Sequence, residues 1–261
     1  MRNFLLILLV LGLAACSAPL EHGISDPFEA SNRKAHQINK SLDKKVVRPI
    51  AILYGDSTPL KVQSVVNNIS MNFSLPGHTI NHILQGKLKS ASKSSLKFVV
   101  NSTLGVGGIY DASSGLALET QKTDFGETMA RWGVGEGPYL DIIVLGPSNQ
   151  RDGVGRIVDI IFDPIGLIGA GPKSVATLTS IGLGLSARSQ FRESIDSMLY
   201  ESTDSYAQSR LFFLQNRRYV LGTAQAEPYI DPYNYFCEWI NDCPDPTPTF
   251  FNGINLCVMQ A

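Results

Sequence analysis

The N-terminal segment constrains this chain most, because it determines the compartment in which the rest of the chain folds. Arg2 supplies a positive charge, residues 4–13 are apolar apart from Gly12, and two alanines then precede Cys16. The segment is shorter than the roughly 20 residues of a membrane-spanning helix, and its order of charge, apolar run and small residues is typical of a secretory signal. We therefore predict that residues 1–15 are a signal peptide and that the chain is exported.

The cysteine that follows this segment predicts a lipid anchor. The sequence Leu13-Ala14-Ala15-Cys16 resembles bacterial lipoprotein signals, in which the cysteine becomes the acylated N-terminus after cleavage. Two or three acyl chains hold a protein on a membrane stably, whereas one chain does not. We expect acyl chains on Cys16 and a lipidated tether over residues 16–25; a plain secretory signal with an incidental cysteine is the alternative. Ser17 stands where inner-membrane lipoproteins often carry Asp, which favours the outer membrane.

The composition excludes two classes of protein. Charged residues make up 17% of the chain and the formal net charge is −1, whereas nucleic-acid-binding domains normally carry a basic excess, so no nucleic-acid partner is expected. After the signal, no stretch has the roughly 18 uncharged apolar residues that indicate a transmembrane helix.

Motifs for catalysis and cofactor binding are missing from the sequence. It contains no G-x-x-x-x-G-K-[ST], no G-x-G-x-x-G after a strand and no G-x-S-x-G. His78 and His82 have the spacing of two zinc ligands on one helix face, but no glutamate follows His78, so hydrogen-bonded histidines are preferred. We therefore expect that the chain is not an enzyme and that it binds no metal and no cofactor besides the acyl chains on Cys16.

Apolar residues recur at helical spacing in the first half of the chain. The segment 26–29 predicts the start of a helix, with Asp26 as its cap, and Pro49 predicts the end of that helix or a kink. A second helix is predicted from Pro59, followed by a break at residues 76–77 and a short helix over 79–84.

The second half of the chain continues the helical pattern. Only residues 139–145 suggest a strand or a core loop. Further helices are predicted over residues 88–100, from the cap Asp124 to Trp132, from the cap Ser148 to Pro164, and over 186–199 and 204–221. The sequence therefore predicts an all-α domain of seven or eight helices over residues 26–222.

The last 39 residues differ in composition from this helical domain. Five prolines predict an irregular tail over residues 223–261. Cys237, Cys243 and Cys257 also lie there; an oxidising compartment is compatible with one disulfide, and the sequence leaves its pairing open.

Residues 165–185 are unusually apolar and rich in glycine. The segment holds five glycines and one charge, Lys173, next to Pro172. Two apolar arms flank this Pro-Lys pair, and neither is long enough to cross a bilayer. They predict a hairpin that dips into a membrane or lines a cavity; a buried helical hairpin in a water-soluble core is the alternative.

Acidic and basic residues alternate between positions 124 and 163. Arg131, Arg151 and Arg156 have several acidic residues as candidate partners. These are Asp124, Glu127, Asp141, Asp152, Asp159 and Asp163. Helix caps and buried ion pairs are the simpler interpretation, and a polar wall for a charged head group is the sharper one.

Several segments, in this order over about 140 residues, resemble the MlaA (VacJ) lipoprotein family. The strongest block is the segment 124–128 followed by 133–139. The other matching pieces are Asp26-Pro27-Phe28-Glu29, Asn32-Arg33, Asn39, Leu42-Asp43, Arg48-Pro49, Asn67-Asn68, Pro76, Asn81, Leu84-Gln85-Gly86, Asn101-Ser102-Thr103, Gly105, Gly108, Asp111, Gly146-Pro147-Ser148, Arg151-Asp152, Gly155 and Asp163-Pro164. The cysteine-containing tail departs from the family pattern.

The resemblance implies a fold and a function. It implies a ring of amphipathic helices around a central channel, lipid-anchored in the outer membrane, facing the periplasm and held by trimeric porins. Such a protein removes mislocalised phospholipid from the outer leaflet and passes it to a periplasmic lipid-binding protein. An envelope scaffold that bridges porin and periplasmic proteins without a lipid channel is the alternative.

Within this frame, two sets of residues are candidates for the channel. Residues predicted to line or gate it are Ile165, Gly166, Gly169, Gly171, Pro172, Gly182 and Gly184. Arg151 and Arg156 are predicted to lie on its polar wall.

Overall fold

The computed structural model describes residues 24–116 and 118–222, without the side chains of Leu167 and Ile168. The predictions for the signal peptide, for the acylated Cys16 and for the tail over residues 223–261 lie outside the described residues.

The described chain is predominantly helical, as predicted. Its α-helices are α1 (Glu29–Leu42), α2 (Arg48–Ser57), α3 (Leu60–Leu84), α4 (Leu88–Thr103), α5 (Phe125–Arg131), α6 (Gln150–Ile161), α7 (Pro164–Ile168), α8 (Ala170–Gln190), α9 (Arg192–Asp196) and α10 (Ser205–Leu221). Two π-type segments (Asp43–Val47 and Ser197–Glu201), one 3₁₀ turn (Ser114–Leu116) and the antiparallel strands β1 (Tyr139–Ile142) and β2 (Gly146–Asn149) complete it.

Of the end or kink predicted at Pro49, the end is not found: α1 ends at Leu42, a π-type segment follows, and Pro49 lies in the first turn of α2. A proline inside a helix removes one hydrogen bond, and its ring clashes with the carbonyl four residues earlier. Here the wider π turn directly before α2 accommodates the proline, with the Arg48 amide donating to the Asp43 carbonyl.

The start of α1 differs from the prediction. Asp26 does not cap the helix, because Phe28 occupies the cap position. The Asp26 carboxylate instead accepts hydrogen bonds from Tyr206 and Arg210.

Pro76 does not divide the third helical segment, so the predicted break at residues 76–77 is wrong. α3 runs through this proline as one helix of 25 residues. It packs against both α4 and α8, and this tertiary packing outweighs the hydrogen bond that the proline removes. Its predicted end is confirmed at Gly86, which has the positive φ of 73° that favours glycine.

Side-chain caps mark the starts of α5 and α6. Asp124 caps α5 as predicted, accepting a hydrogen bond of 2.7 Å from the Glu127 amide. The cap of α6 is Asn149 rather than the predicted Ser148, because the β2 strand extends through Ser148. The Asn149 side chain accepts from the Asp152 amide at 2.7 Å.

The segment 165–185 does not turn at Pro172, so the predicted hairpin of two equal arms is wrong. The break lies at Gly169, whose φ of 142° few residues other than glycine adopt. Pro172 instead lies in the first turn of α8, where no backbone N–H is needed for a helical hydrogen bond. The result is a short α7 followed by a single helix of 21 residues.

The elements close into a ring. α1 packs against β1 and leads through its π turn into α2, and α2 packs on α8. α8 contacts α3, α3 contacts α5, α5 contacts α6, and α6 returns to the β-hairpin beside α1. α4 packs on α3, and α10 packs on β2 and the second π segment. The predicted ring-like, all-α arrangement is therefore confirmed.

Candidate functional site

The described residues have an unusual distribution of polarity. Eight apolar side chains are buried and 21 polar or charged ones are buried, while 35 large apolar side chains are exposed. In the part of the chain that the structure describes, only Tyr139, Tyr206 and Leu214 form a cluster of buried apolar side chains. Water-soluble domains bury most of their large apolar side chains, so this surface is suited to contact with apolar material. No helix among the described residues reaches the length and hydropathy of a membrane span.

An apolar cavity of about 680 Å³ lies between α3, α5 and α6. Its walls are mainly aromatic and aliphatic, with polar groups from α3, from α6 and from the segment before α5. The lining residues are Phe73, Ser74, Gly77, His78, Ile80, Asn81, Leu84, Thr123, Asp124, Phe125, Trp132, Val158, Asp159, Phe162, Asp163 and Pro164. We call this the apolar cavity.

The polar groups of the apolar cavity are held within the protein. Asp159 accepts from the Phe125 amide (3.0 Å) and from Asn81 Nδ2 (3.1 Å), and burial raises the pKa of this carboxyl. His78 Nδ1 lies 2.7 Å from the Thr123 carbonyl, and burial lowers the pKa of its imidazole. The histidine is therefore neutral at neutral pH and adds no positive charge to the cavity.

Arg217 of α10 fixes the loop that borders this cavity. It donates to Asp124 at 2.7 and 2.8 Å and to Asp152 at 2.8 and 3.0 Å. Burial by itself would raise the pKa of Asp124, but the hydrogen bonds and charge of Arg217 lower it. One guanidinium thus joins α10 to the starts of α5 and α6. The sequence predicted ion pairing for both aspartates but not with Arg217, which is distant in sequence.

A second cavity, of about 720 Å³, is lined mainly by polar side chains and lies between α2, α3, α8 and α9. Its lining residues are Gly55, Asp56, Leu60, Gln63, Ser64, Asn67, Ser186, Ser189, Gln190, Phe191, Arg192, Glu193 and Ser194. Gln63 donates to the Thr58 carbonyl (2.8 Å) and accepts from the Ser186 hydroxyl (3.2 Å), so its amide joins α3 to α8. We call this the polar cavity.

An ion cluster supports the helices around the polar cavity. Arg188 of α8 is buried and donates to Asp43 (2.8 and 2.9 Å) and to Asp196 (2.6 Å). Asp196 also accepts from Arg48, and Tyr200 donates its hydroxyl to Asp43 at 2.6 Å. Arg188 thus ties α8 to the first π-type segment and to the end of α9, and Tyr200 joins the second π-type segment to the first. These hydrogen bonds involve charged groups and are stronger than neutral ones.

The residues predicted to line or gate a channel occupy several environments. Ile165 is buried, and Gly182 packs against Val66 where α8 meets α3. Gly171 and Gly184 have open space where a Cβ would lie. None of the seven predicted residues is among those that line the two cavities described above. Their role in a channel stays a prediction.

The two arginines predicted for a polar wall have protein partners. Arg151 is buried, lies 3.2 Å from Asp152 Oδ1 and donates to the Val134 carbonyl. Arg156 donates to the carbonyls of Leu145 and Pro147 in the β-hairpin. Among the residues that the structure describes, no group of three His, Cys, Asp or Glu side chains has the geometry of a metal site.

The fold and the cavities define a class: a ring of helices with an apolar exterior, a polar interior and cavities of both characters. The chain belongs to the MlaA lipoprotein family, whose model matches residues 24–220.

Characterised and uncharacterised relatives support this membership. The chain is 29% identical over 222 residues to the intermembrane phospholipid transport system lipoprotein MlaA of Escherichia coli. The aligned region covers 84% of this chain and 87% of that protein. An uncharacterised protein of Rickettsia felis is 32% identical over 193 residues, 72% of this chain and 74% of that protein. A solved structure, from work on the structural basis for maintenance of bacterial outer membrane lipid asymmetry, matches with a TM-score of 0.64 and 27% identity, over 76% of this chain and 99% of that one.

Proposed function

We propose that this protein is a lipoprotein, anchored through Cys16 in the outer membrane and facing the periplasm, that removes mislocalised phospholipid from the outer leaflet. In this proposal the lipid passes through an amphipathic channel in the ring to a periplasmic lipid-binding protein, and a trimeric porin holds the ring in place. The protein acts as a passive conduit rather than an enzyme.

The observation that carries this proposal is the apolar exterior around a polar interior. A lipid that leaves a bilayer must keep its tails away from water. Moving one methylene group into water costs about 0.8 kcal/mol of free energy, so a chain of roughly 15 carbons costs about 12 kcal/mol. A passage for such a molecule needs apolar wall for tails and polar wall for the head group. The apolar and polar cavities supply one environment each within the same ring.

The family membership supports phospholipid as the transported molecule. Relatives that share most of this chain are named for intermembrane phospholipid transport, and the matching solved structure comes from work on outer-membrane lipid asymmetry. The alternative function, a scaffold between envelope proteins, needs neither of the two cavities.

The test measures phospholipid in the outer leaflet of intact cells by its susceptibility to added phospholipase. Deleting the gene is expected to raise this signal, and the wild-type chain to restore it, whereas Cys16→Ala is expected to fail because the anchor is lost. Gly171→Trp, at a position with open space, is expected to raise the signal if residues 165–185 gate the channel. An unchanged signal after deletion would favour the scaffold.

A further inference from the structure

We infer that the apolar cavity between α3, α5 and α6 holds one acyl tail of a diacyl phospholipid while the head group stays outside it. This inference rests on the proposed function and assigns one half of the lipid to one cavity. None of residues 165–185 is among the residues that line this cavity.

The size and character of the cavity suit a flexible apolar chain. Its volume of about 680 Å³ falls within the about 300–1,000 Å³ of small-molecule sites, which are lined mainly by apolar and aromatic side chains. Phe73, Phe125 and Val158 contribute such walls. Gly77 opens the middle of α3 to this space, since a Cβ there would meet no atom within 4 Å.

The charges of the cavity exclude the phosphate. Among the described residues, its lining has no lysine or arginine, and it includes the carboxyl groups of Asp124, Asp159 and Asp163. The guanidinium that donates to Asp124, that of Arg217, also donates to Asp152. An anionic phosphate, or the carboxylate of a free fatty acid, therefore meets carboxyl groups rather than a cationic side chain among the described lining residues, whereas a neutral hydrocarbon tail has no charge to be repelled.

The cavity is continuous with apolar surface, which gives a tail a route of entry. Ile80, Leu84, Trp132 and Phe162 line it and are also exposed. Trp132 is held in place, because its indole N–H donates to the Leu84 carbonyl at 3.1 Å and its ring packs edge-on against Phe125. A lipid beside the ring can thus insert one tail without crossing a polar barrier.

The experiment uses the full chain in native outer membrane and two photoreactive phospholipids. One carries a diazirine at the end of an acyl chain and the other carries it in the head group. After irradiation, mass spectrometry locates the adducts. The acyl probe is expected to label Phe73 and Val158, and the head-group probe is not.

A cavity-filling variant makes the test specific. Gly77→Leu places an isobutyl group in the open space, and it favours the helix because leucine is a better helix former than glycine. We expect acyl-probe adducts at Phe73 and Val158 to fall by about tenfold or more, since several methylene groups lose their burial. Adducts on the exposed Leu178 and Ile181 of α8 are expected to stay unchanged, and they serve as the internal control.

The outcomes separate this inference from the proposed function. Labelling of α8 without labelling of the cavity, equal labelling by both probes, or cavity labelling that Gly77→Leu leaves unchanged would each overturn the tail site alone. Absence of lipid adducts anywhere on the chain would overturn the proposed contact with phospholipid as well. A thermal unfolding midpoint of Gly77→Leu at or above that of the wild type shows that lost labelling is not lost folding.

Discussion

The two cavities both border α3 and differ in the polarity of the side chains that line them. Residues 63–67 at the start of α3 border the polar cavity, and residues 73–84 near its end border the apolar one. From Asn67 to Gly77 the helix rises by about 15 Å, at 1.5 Å per residue. A single helix therefore changes from a polar to an apolar environment within a distance similar to the hydrocarbon thickness of one leaflet, which is about half of the roughly 30 Å core of a bilayer.

The polar networks behind the two cavities also differ. Arg217 joins Asp124 and Asp152 beside the apolar cavity at 2.7–3.0 Å. Asp152 has a second and longer contact, to Arg151 at 3.2 Å, whereas the salt bridge of Asp124 is with Arg217. The cluster behind the polar cavity has redundant partners, since Asp196 accepts from both Arg48 and Arg188. In a ring whose large apolar side chains are mostly exposed, such ion pairs take over part of the role of an apolar core.

The largest expected effect is the loss of Arg217. Arg217→Gln removes four charged hydrogen bonds, takes the arginine partner from Asp124, and leaves Asp152, which is 5% exposed, with only the longer contact to Arg151. Removing one partner of a buried ion pair costs about 3–5 kcal/mol in the free energy of unfolding. Denaturant unfolding of the purified protein in detergent measures this. The matched control is Arg33→Gln, whose salt bridge with Asp204 is exposed to solvent; equal losses in the two variants would contradict the structural role of Arg217.

A smaller loss is expected at the polar cavity. Arg188→Gln removes the charged hydrogen bonds to Asp43 and Asp196. Asp196 still accepts from Arg48, and Asp43 still accepts from Tyr200. The expected loss is therefore about 1.5–3 kcal/mol, the range for a charged hydrogen bond rather than for an orphaned buried charge. The same unfolding measurement ranks the two variants, and a larger loss for Arg188→Gln than for Arg217→Gln would reverse the comparison.

Local signals predicted much of the fold, and long-range packing decided the rest. The cap at Asp124 and the stop at Gly86 were predictable because each depends on a few neighbouring residues. The breaks predicted at Pro76 and Pro172 were wrong for different reasons. Pro76 is tolerated because α3 packs on two helices, and Pro172 because it lies in a first turn.

The site was less predictable than the fold. The acidic residues between positions 124 and 163 were recognised as candidates for ion pairs, but their main partner, Arg217, lies more than 50 residues away. Likewise, the walls of the apolar cavity come from segments around Phe73, Phe125 and Val158. No spacing rule connects such segments. The resemblance to a family predicted the ring, whereas the cavities depend on the tertiary packing of segments that are distant in sequence.

A glycine at the polar cavity is expected to resist substitution. A Cβ at Gly55 would overlap the side chain of Ser189, where α2 lies against α8. Gly55→Ala is expected to cost about 1–3 kcal/mol, the usual range for overpacking. Adding Ser189→Gly should recover part of the loss, and a double-mutant cycle measures this coupling. Additive effects would show that the two helices do not approach so closely.

The corresponding substitution at the apolar cavity is expected to have the opposite sign. Gly77→Ala meets no atom within 4 Å and replaces a glycine inside a helix. It should stabilise the protein by up to about 1 kcal/mol, the difference in helix propensity between the two residues. Thermal unfolding midpoints of Gly77→Ala and Gly55→Ala, measured side by side, give the contrast; a destabilised Gly77→Ala would mean that the space beside α3 is occupied.

The smallest effect is a pair of opposite pH dependences. Burial raises the pKa of Asp159 at the apolar cavity, so the folded state binds this proton more tightly and the group adds stability as the pH falls through that raised pKa. The hydrogen bond from Arg48 lowers the pKa of Asp196, although burial opposes it, so its contribution is present above the ordinary pKa and is lost as the pH falls through the lowered one. We therefore expect the stability of the wild type relative to Asp159→Asn to rise on acidification, and its stability relative to Asp196→Asn to fall. Unfolding free energies of the three proteins between neutral and acidic pH measure both slopes, and slopes of the same sign would show that the two cavities do not differ electrostatically in this way.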